Sequence, residues 1–127
     1  MKPPLDPAIR GHLLEEGARL LGAREFFKAH EAFEDLWKAA SAQRDRELWQ
    51  GLSQLSAALV KHERGEPATA ISLLAKARAK LTGVRFEEAA ASALRGYLDS
   101  LAGPVAAEKN LPATALPPAL LEALRGS

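Results

Sequence analysis

The chain has 127 residues, no cysteine and a net charge of +1 from 17 basic and 16 acidic residues. A chain of this length forms one domain, and its balanced charge gives no reason to expect nucleic acid as a partner. The lack of cysteine excludes disulfides, thiolate metal sites and cysteine nucleophiles.

The apolar residues are not arranged as in a membrane protein. No apolar run approaches the ~20 residues needed to cross a bilayer. The segment Met1 to Pro7 has no apolar core of the signal-peptide kind. We therefore expect a cytoplasmic protein that does not contact a membrane.

The residue types predict one fold class. Alanine and leucine supply most of the apolar content, whereas Val, Ile and Thr together number only eight. Strands favour β-branched residues, while Ala and Leu lead the helix scale. The sequence therefore predicts an all-α fold.

Local signals divide the chain into helices. Asp6 is a suitable cap for the first helix, Pro7 suits its first turn and Gly22 is a plausible stop. Gly65 and Pro67 mark a break between the third and fourth helices. The second helix is predicted to begin near Arg24, and the third to follow a charged link at 44–47. The fourth is predicted to end at Leu81. The fifth runs from Phe86 to Leu101 with a stop at Gly103-Pro104, and a short last helix runs from Ala119 to Arg125.

Short links place neighbouring helices antiparallel, so we expect a single-domain bundle of about five antiparallel helices plus a short C-terminal helix. The predicted helical domain covers residues 1–101. Residues 102–127 form a Pro- and Ala-rich extension, extended until Pro117-Pro118. Its short helix is expected to dock on the body or to serve a partner, and a homodimer is an open alternative.

One stretch of the second helix combines aromatic bulk with polar groups. At 100° per residue, Phe26, Phe33 and Trp37 fall within a narrow sector. His30 lies inside that sector, and Glu34 borders it. The pattern predicts a core-facing histidine with a carboxylate one turn further on.

The order His30-Glu31-x-x-Glu34 is similar to His-Glu-x-x-His, in which two histidines bind zinc and the glutamate acts as a base. Glu34 could replace the second histidine, and His62 could supply a third ligand. Glu31, however, is predicted to point away from His30. No cofactor is therefore expected, and a divalent metal held by His30, Glu34 and His62 is the alternative.

The residues by themselves favour a structural role for the pair over a pocket or a metal site. Leaving either buried group without a partner would cost about 1–3 kcal/mol, which is reason enough for His30 and Glu34 to pair. The residues alone thus leave three interpretations: a structural pair, a polar pocket for a ligand or a partner side chain, and a metal site.

Two motifs in this region match a known family. The pattern Phe26-Phe27-x-Ala29-His30-Glu31-x-x-Glu34-x-x-Trp37, followed by Leu48-x-Gln50-Gly51-Leu52-x-Gln54-Leu55, resembles the Domain of Unknown Function 309 family. The resemblance covers about residues 10–100. It implies a small all-α prokaryotic protein without an assigned activity, and it gives no role to the matching positions His30, Glu31, Glu34, Trp37, Gln50 and Gln54.

We interpret the chain as a non-enzymatic helical module that binds a protein or small-molecule partner at a pocket. The candidate pocket residues are His30, Glu34, Trp37, Gln50, Gln54 and Tyr97. In this hypothesis Gln50 and Gln54 face the pocket from the third helix and Tyr97 closes it. The alternative is a metal-dependent enzyme, hydrolytic in type, that uses His30 and Glu34 as ligands.

Overall fold

The computed structural model describes residues 5–126, and within them it contains helices and no strand. The all-α prediction is therefore confirmed. None of the helices in this range has both the length and the apolar character needed to cross a membrane. The helices are α1 (Pro7–Gly22), α2 (Phe26–Ala39), α3 (Gln43–Glu63), α4 (Pro67–Thr82), α5 (Glu88–Ala107) and α6 (Pro118–Arg125).

Each helix packs against the next one along the chain, and α6 returns to contact α1. The links from α1 to α5 have three to five residues each, as in bundles of antiparallel helices, whereas residues 108–117 separate α5 from α6. The longest helix, α3, lies between α2 and α4 and contributes the largest buried set. Because of this central position, α2 and α4 both pack against α3. Its buried large side chains are Leu48, Trp49, Leu52, Leu55, Leu59 and Val60.

The turn between α1 and α2 shows why α2 begins later than predicted. The Asp6 carboxylate accepts a hydrogen bond from the Ala8 N–H at 2.8 Å, as expected for the cap of α1. At the other end, Arg24 adopts a left-handed conformation with φ of 63°. The Glu25 N–H donates to the Leu20 carbonyl at 2.9 Å, which closes a Schellman motif. Arg24 therefore lies in the turn, and α2 begins at Phe26.

Two other predicted helix bounds are wrong. The charged residues at 44–47 form the first turns of α3 and are not a link. The fifth helix begins at Glu88 and continues through Pro104 to Ala107. Proline removes one backbone donor, but the buried Val105 and the bond from the Lys109 N–H to the Pro104 carbonyl hold the last turn in place.

The segment after α5 packs on the same core as the helices. Thr114 is buried and donates to the Leu21 carbonyl at 2.6 Å, and the Tyr97 hydroxyl donates to the Thr114 carbonyl at 2.7 Å. Burial raises the pKa of Tyr97, so this hydroxyl keeps its proton at neutral pH. In α6, Leu120 and Leu124 are buried. The C-terminal helix thus docks on the body, as predicted, and uses its apolar face internally.

Gly17 allows the close approach of α1 and α2, and its replacement by Ala is expected to destabilise the fold. An added Cβ would lie 2.7 Å from the Phe33 ring, which is fully buried. We expect Gly17→Ala to lower the free energy of unfolding by about 1–2 kcal/mol, since overpacking exceeds the gain in helix propensity. A Cβ at Gly11, on the same helix, would meet nothing within 4 Å. Gly11→Ala should therefore raise the stability by up to ~1 kcal/mol in a denaturant titration. Equal effects of the two changes would contradict this account of the α1–α2 contact.

Candidate functional site

His30 lies at the edge of the buried face of α2 and not inside it. Its side chain is 27% exposed, whereas the buried residues of this helix follow a different stripe. The prediction of a core-facing histidine is therefore wrong. The buried face extends from Phe26 and Phe33 toward Ala29, Ala32 and Leu36, which leaves His30, Glu34 and Trp37 at its margin. The buried residues are Phe26, Ala29, Ala32, Phe33 and Leu36.

Ser53 of α3 fixes the His30 ring. The His30 Nδ1 atom lies 3.1 Å from the Ser53 carbonyl oxygen and 2.9 Å from the Ser53 Oγ. A carbonyl oxygen can only accept, so Nδ1 carries a hydrogen and donates it. In the neutral ring the Nε2 atom then has a free lone pair. Because Ser53 is itself buried, the orientation of the imidazole is set by the core.

The exposed side of the ring faces Glu34. The His30 Nε2 atom lies 3.7 Å from Glu34 Oε2, which is longer than a hydrogen bond. Lys38 donates to the other carboxylate oxygen, Oε1, at 3.2 Å. Two acceptors, the Nε2 lone pair and Oε2, therefore face each other without a donor between them. Protonation of the imidazole would turn the contact into an ion pair.

The Phe27 ring lies beside His30, and a buried amide oxygen without a partner in residues 5–126 lies next to Ser53 in the sequence. The Phe27 ring is tilted by 49° to the His30 ring, with 6.2 Å between centroids, and Phe27 is 54% exposed. Gln54 follows Ser53 along α3, and its Oε1 atom is buried without a hydrogen-bond partner among the described residues. Buried polar atoms are nearly always satisfied, so this orphaned acceptor calls for an explanation. We name Phe27, His30, Glu34 and Ser53 the His30 site.

The structure does not bring every predicted pocket residue to this site. Gln50 lies one turn before Gln54 and is partly exposed, and Trp37 is partly buried against the core. Tyr97 bonds to the C-terminal segment, so its predicted role in closing the pocket is wrong. Glu31 is exposed, as predicted.

The metal alternative loses its third ligand. His62 follows Ser53 by nine residues on α3, which places it roughly 13 Å further along the helix. Its Nε2 atom donates instead to the Lys109 carbonyl at 2.8 Å. Within residues 5–126, no group of three or more His, Cys, Asp or Glu side chains is placed to hold a metal ion. The structure therefore does not assemble the set His30, Glu34 and His62.

Phe27, His30 and Glu34 of the His30 site are partly or largely exposed, and Ser53 is buried. A cavity of about 570 Å³ lies elsewhere, at the ends of α1, α3 and α5, where Arg24, His62 and Glu108 line it. Sequence reasoning missed this cavity because Arg24 and Glu108 adopt positive φ without being glycine. It also missed the role of Ser53, which no local pattern marks.

Part of the chain matches a known protein family. The family model described as Domain of unknown function (DUF309) matches residues 14–73. The match confirms the resemblance, and the DUF309 segment contains every residue of the His30 site but not Tyr97 or the C-terminal extension. No curated protein and no solved structure matches the chain significantly.

Proposed function

We propose that this protein is a non-enzymatic binding module whose His30 site takes an arginine side chain of a protein partner. The observation that carries the proposal is the set of acceptor atoms without donors. The lone pair on His30 Nε2 and the Glu34 Oε2 atom lie 3.7 Å apart, and each can accept a hydrogen bond. A guanidinium has five N–H donors and no acceptor, so it is complementary to this set.

The geometry favours a guanidinium over other donors. Two acceptors 3.7 Å apart suit a forked donor better than a single N–H. The exposed face of Phe27 offers a cation–π contact, and arginine stacks on aromatic rings more often than lysine does. Charge, hydrogen bonding and stacking therefore support the same ligand group.

An arginine on a partner protein fits better than a free small molecule. Small-molecule sites are concave and enclose most of their ligand. Two cavities, of about 570 and 170 Å³, are lined by Arg24 and by Arg10, and neither is lined by a side chain of the His30 site. Phe27 is one of the most exposed large apolar side chains in residues 5–126. An exposed aromatic residue beside polar anchors is typical of a protein-binding surface.

The test uses N-acetyl-arginine amide as the probe and N-acetyl-citrulline amide as its uncharged counterpart. We expect the arginine probe to shift the NMR signals of the His30 ring in a saturable way, and the citrulline probe to leave them unchanged. Glu34→Gln should weaken binding of the arginine probe about tenfold, because it removes a charge-assisted hydrogen bond. The measurement is a chemical-shift titration at constant ionic strength.

Glu31→Gln is the matched control, since Glu31 is an exposed carboxylate on the same helix. It should leave the affinity unchanged. Equal loss in Glu31→Gln and Glu34→Gln would reduce the effect to general surface charge and contradict the proposal. Equal binding of the citrulline probe would also contradict it, because the site would then not require a cation.

A further inference from the structure

A second orphaned group lies near the C-terminal end of α2, among residues that are not part of the His30 site. Arg10 of α1 places its guanidinium carbon 5.0 Å from the ring centroid of Trp49, a buried residue of α3. The Nη2 atom of Arg10 is buried and has no hydrogen-bond partner among residues 5–126. A buried donor on a charged group without a partner is costly, and the energy of the stacking contact on Trp49 does not replace the missing hydrogen bonds.

The same arginine lines a small cavity. The cavity has a volume of about 170 Å³, and its wall includes Arg10, Trp49, Leu36 and Asp45. Leu36 and Trp49 give it an apolar side, and Arg10 and Asp45 give it one positive and one negative group. Asp45 lies within ion-pair distance of Arg44 at 3.7 Å, and no ion pair joins it to Arg10.

We propose that this cavity, the Arg10 cavity, binds a small carboxylate whose oxygens accept hydrogen bonds from Arg10 and whose short carbon chain lies against Trp49. A planar carboxylate is the group that a guanidinium binds best, through parallel charge-assisted hydrogen bonds. It would neutralise the charge held over the indole, and a turn of the guanidinium toward the cavity would give Nη2 an acceptor.

The volume limits the ligand to a few heavy atoms. Sites for drug-sized ligands and cofactors enclose about 300–1,000 Å³, which is larger than this cavity. A carboxylate with a two- or three-carbon chain fits. The chain could come from a simple carboxylic acid or from a small α-amino acid, in which case Asp45 would receive the ammonium group.

Propionate, propionamide and alanine are the probes. The indole N–H of Trp49 is the reporter, and the Trp37→Phe variant assigns its NMR signal. We expect propionate to shift this signal in a saturable way at concentrations up to ~50 mM, since a ligand of so few atoms binds weakly. Propionamide has nearly the same shape without the charge and should not shift it.

Arg10→Lys should weaken propionate binding about tenfold, because lysine keeps the charge but loses the planar fork. Arg19→Lys is the matched control: Arg19 lies on the same helix, is exposed and pairs with Glu16, so binding should be unchanged. If alanine binds more tightly than propionate and Asp45→Asn removes the difference, the ligand is an α-amino acid. If alanine binds no more tightly, the ligand is a simple carboxylic acid.

Two results would overturn the proposal. Equal shifts with propionate and propionamide would show that the cavity does not select the charge, and this comparison needs no variant to fold. The absence of any saturable shift would leave water molecules as the partners of Nη2. Neither result bears on the His30 site, which lies on different residues.

Discussion

Replacing Phe33 by alanine is expected to lower the free energy of unfolding by about 3–5 kcal/mol. The Phe33 side chain is completely buried, and its ring fits against Gly17 of α1. Removing it would leave a cavity between α1 and α2, where the ring now fills the space beside Gly17. A loss of this size is a large part of the ~5–15 kcal/mol by which natural domains are stable. Denaturant titration followed by circular dichroism measures it.

Phe27→Ala is the control for this change, because it removes the same side chain from the same helix at a site that is 54% exposed. We expect its stability to stay within ~0.5 kcal/mol of the parent protein. The same variant should weaken binding of the arginine probe, since the proposed site loses its aromatic face. A destabilisation as large as that of Phe33→Ala would mean that α2 packs in a different orientation.

Removing residues 108–127 is expected to leave a chain that is largely unfolded. The truncation keeps α5 intact to Ala107 but deletes four buried leucines, each of which contributes about 1.5–3 kcal/mol by burial. Their sum is comparable to the whole stability of a small domain. The four are Leu111, Leu116, Leu120 and Leu124. Thermal unfolding followed by circular dichroism should show no cooperative transition above room temperature.

A point variant tests the same contact with less disturbance. Leu124→Ala should cost about 2–5 kcal/mol, because Leu124 is fully buried. Glu122→Ala, an equal truncation to alanine on the exposed side of α6, should cost less than ~1 kcal/mol. If the truncated chain instead unfolds cooperatively with nearly full stability, residues 1–107 would be a domain on their own and the extension would be an accessory.

The helices could be predicted from the sequence because their signals act over a few residues. Asp6 and Pro7 start α1, and Gly65 and Pro67 separate α3 from α4, as the structure confirms. Each signal is a cap or a backbone restriction within one turn. Pro104 shows the limit of such rules, since tertiary packing of the following residue keeps the helix intact beyond it.

The sequence predicts a candidate site around His30 but not how its groups are arranged. A functional role for this aromatic and polar stretch stays a prediction. Phe26 and Phe33 of the predicted sector are buried, but the centre of the buried face is shifted away from His30 because Ala29, Ala32 and Leu36 are buried as well. The positions of the large side chains alone therefore do not locate the buried face of a helix that is rich in alanine.

By itself, the sequence determined the fold class, most helix breaks and the position of His30 and Glu34 one turn apart, since these depend on local propensity and periodicity. Only the tertiary structure decided what those groups contact. The bond from His30 to Ser53 spans 23 positions of the chain, and the bond from Thr114 to Leu21 spans 93. Contacts of this range depend on how whole helices pack, and helix packing also left Gln54 and Arg10 with buried atoms that have no partner among the described residues.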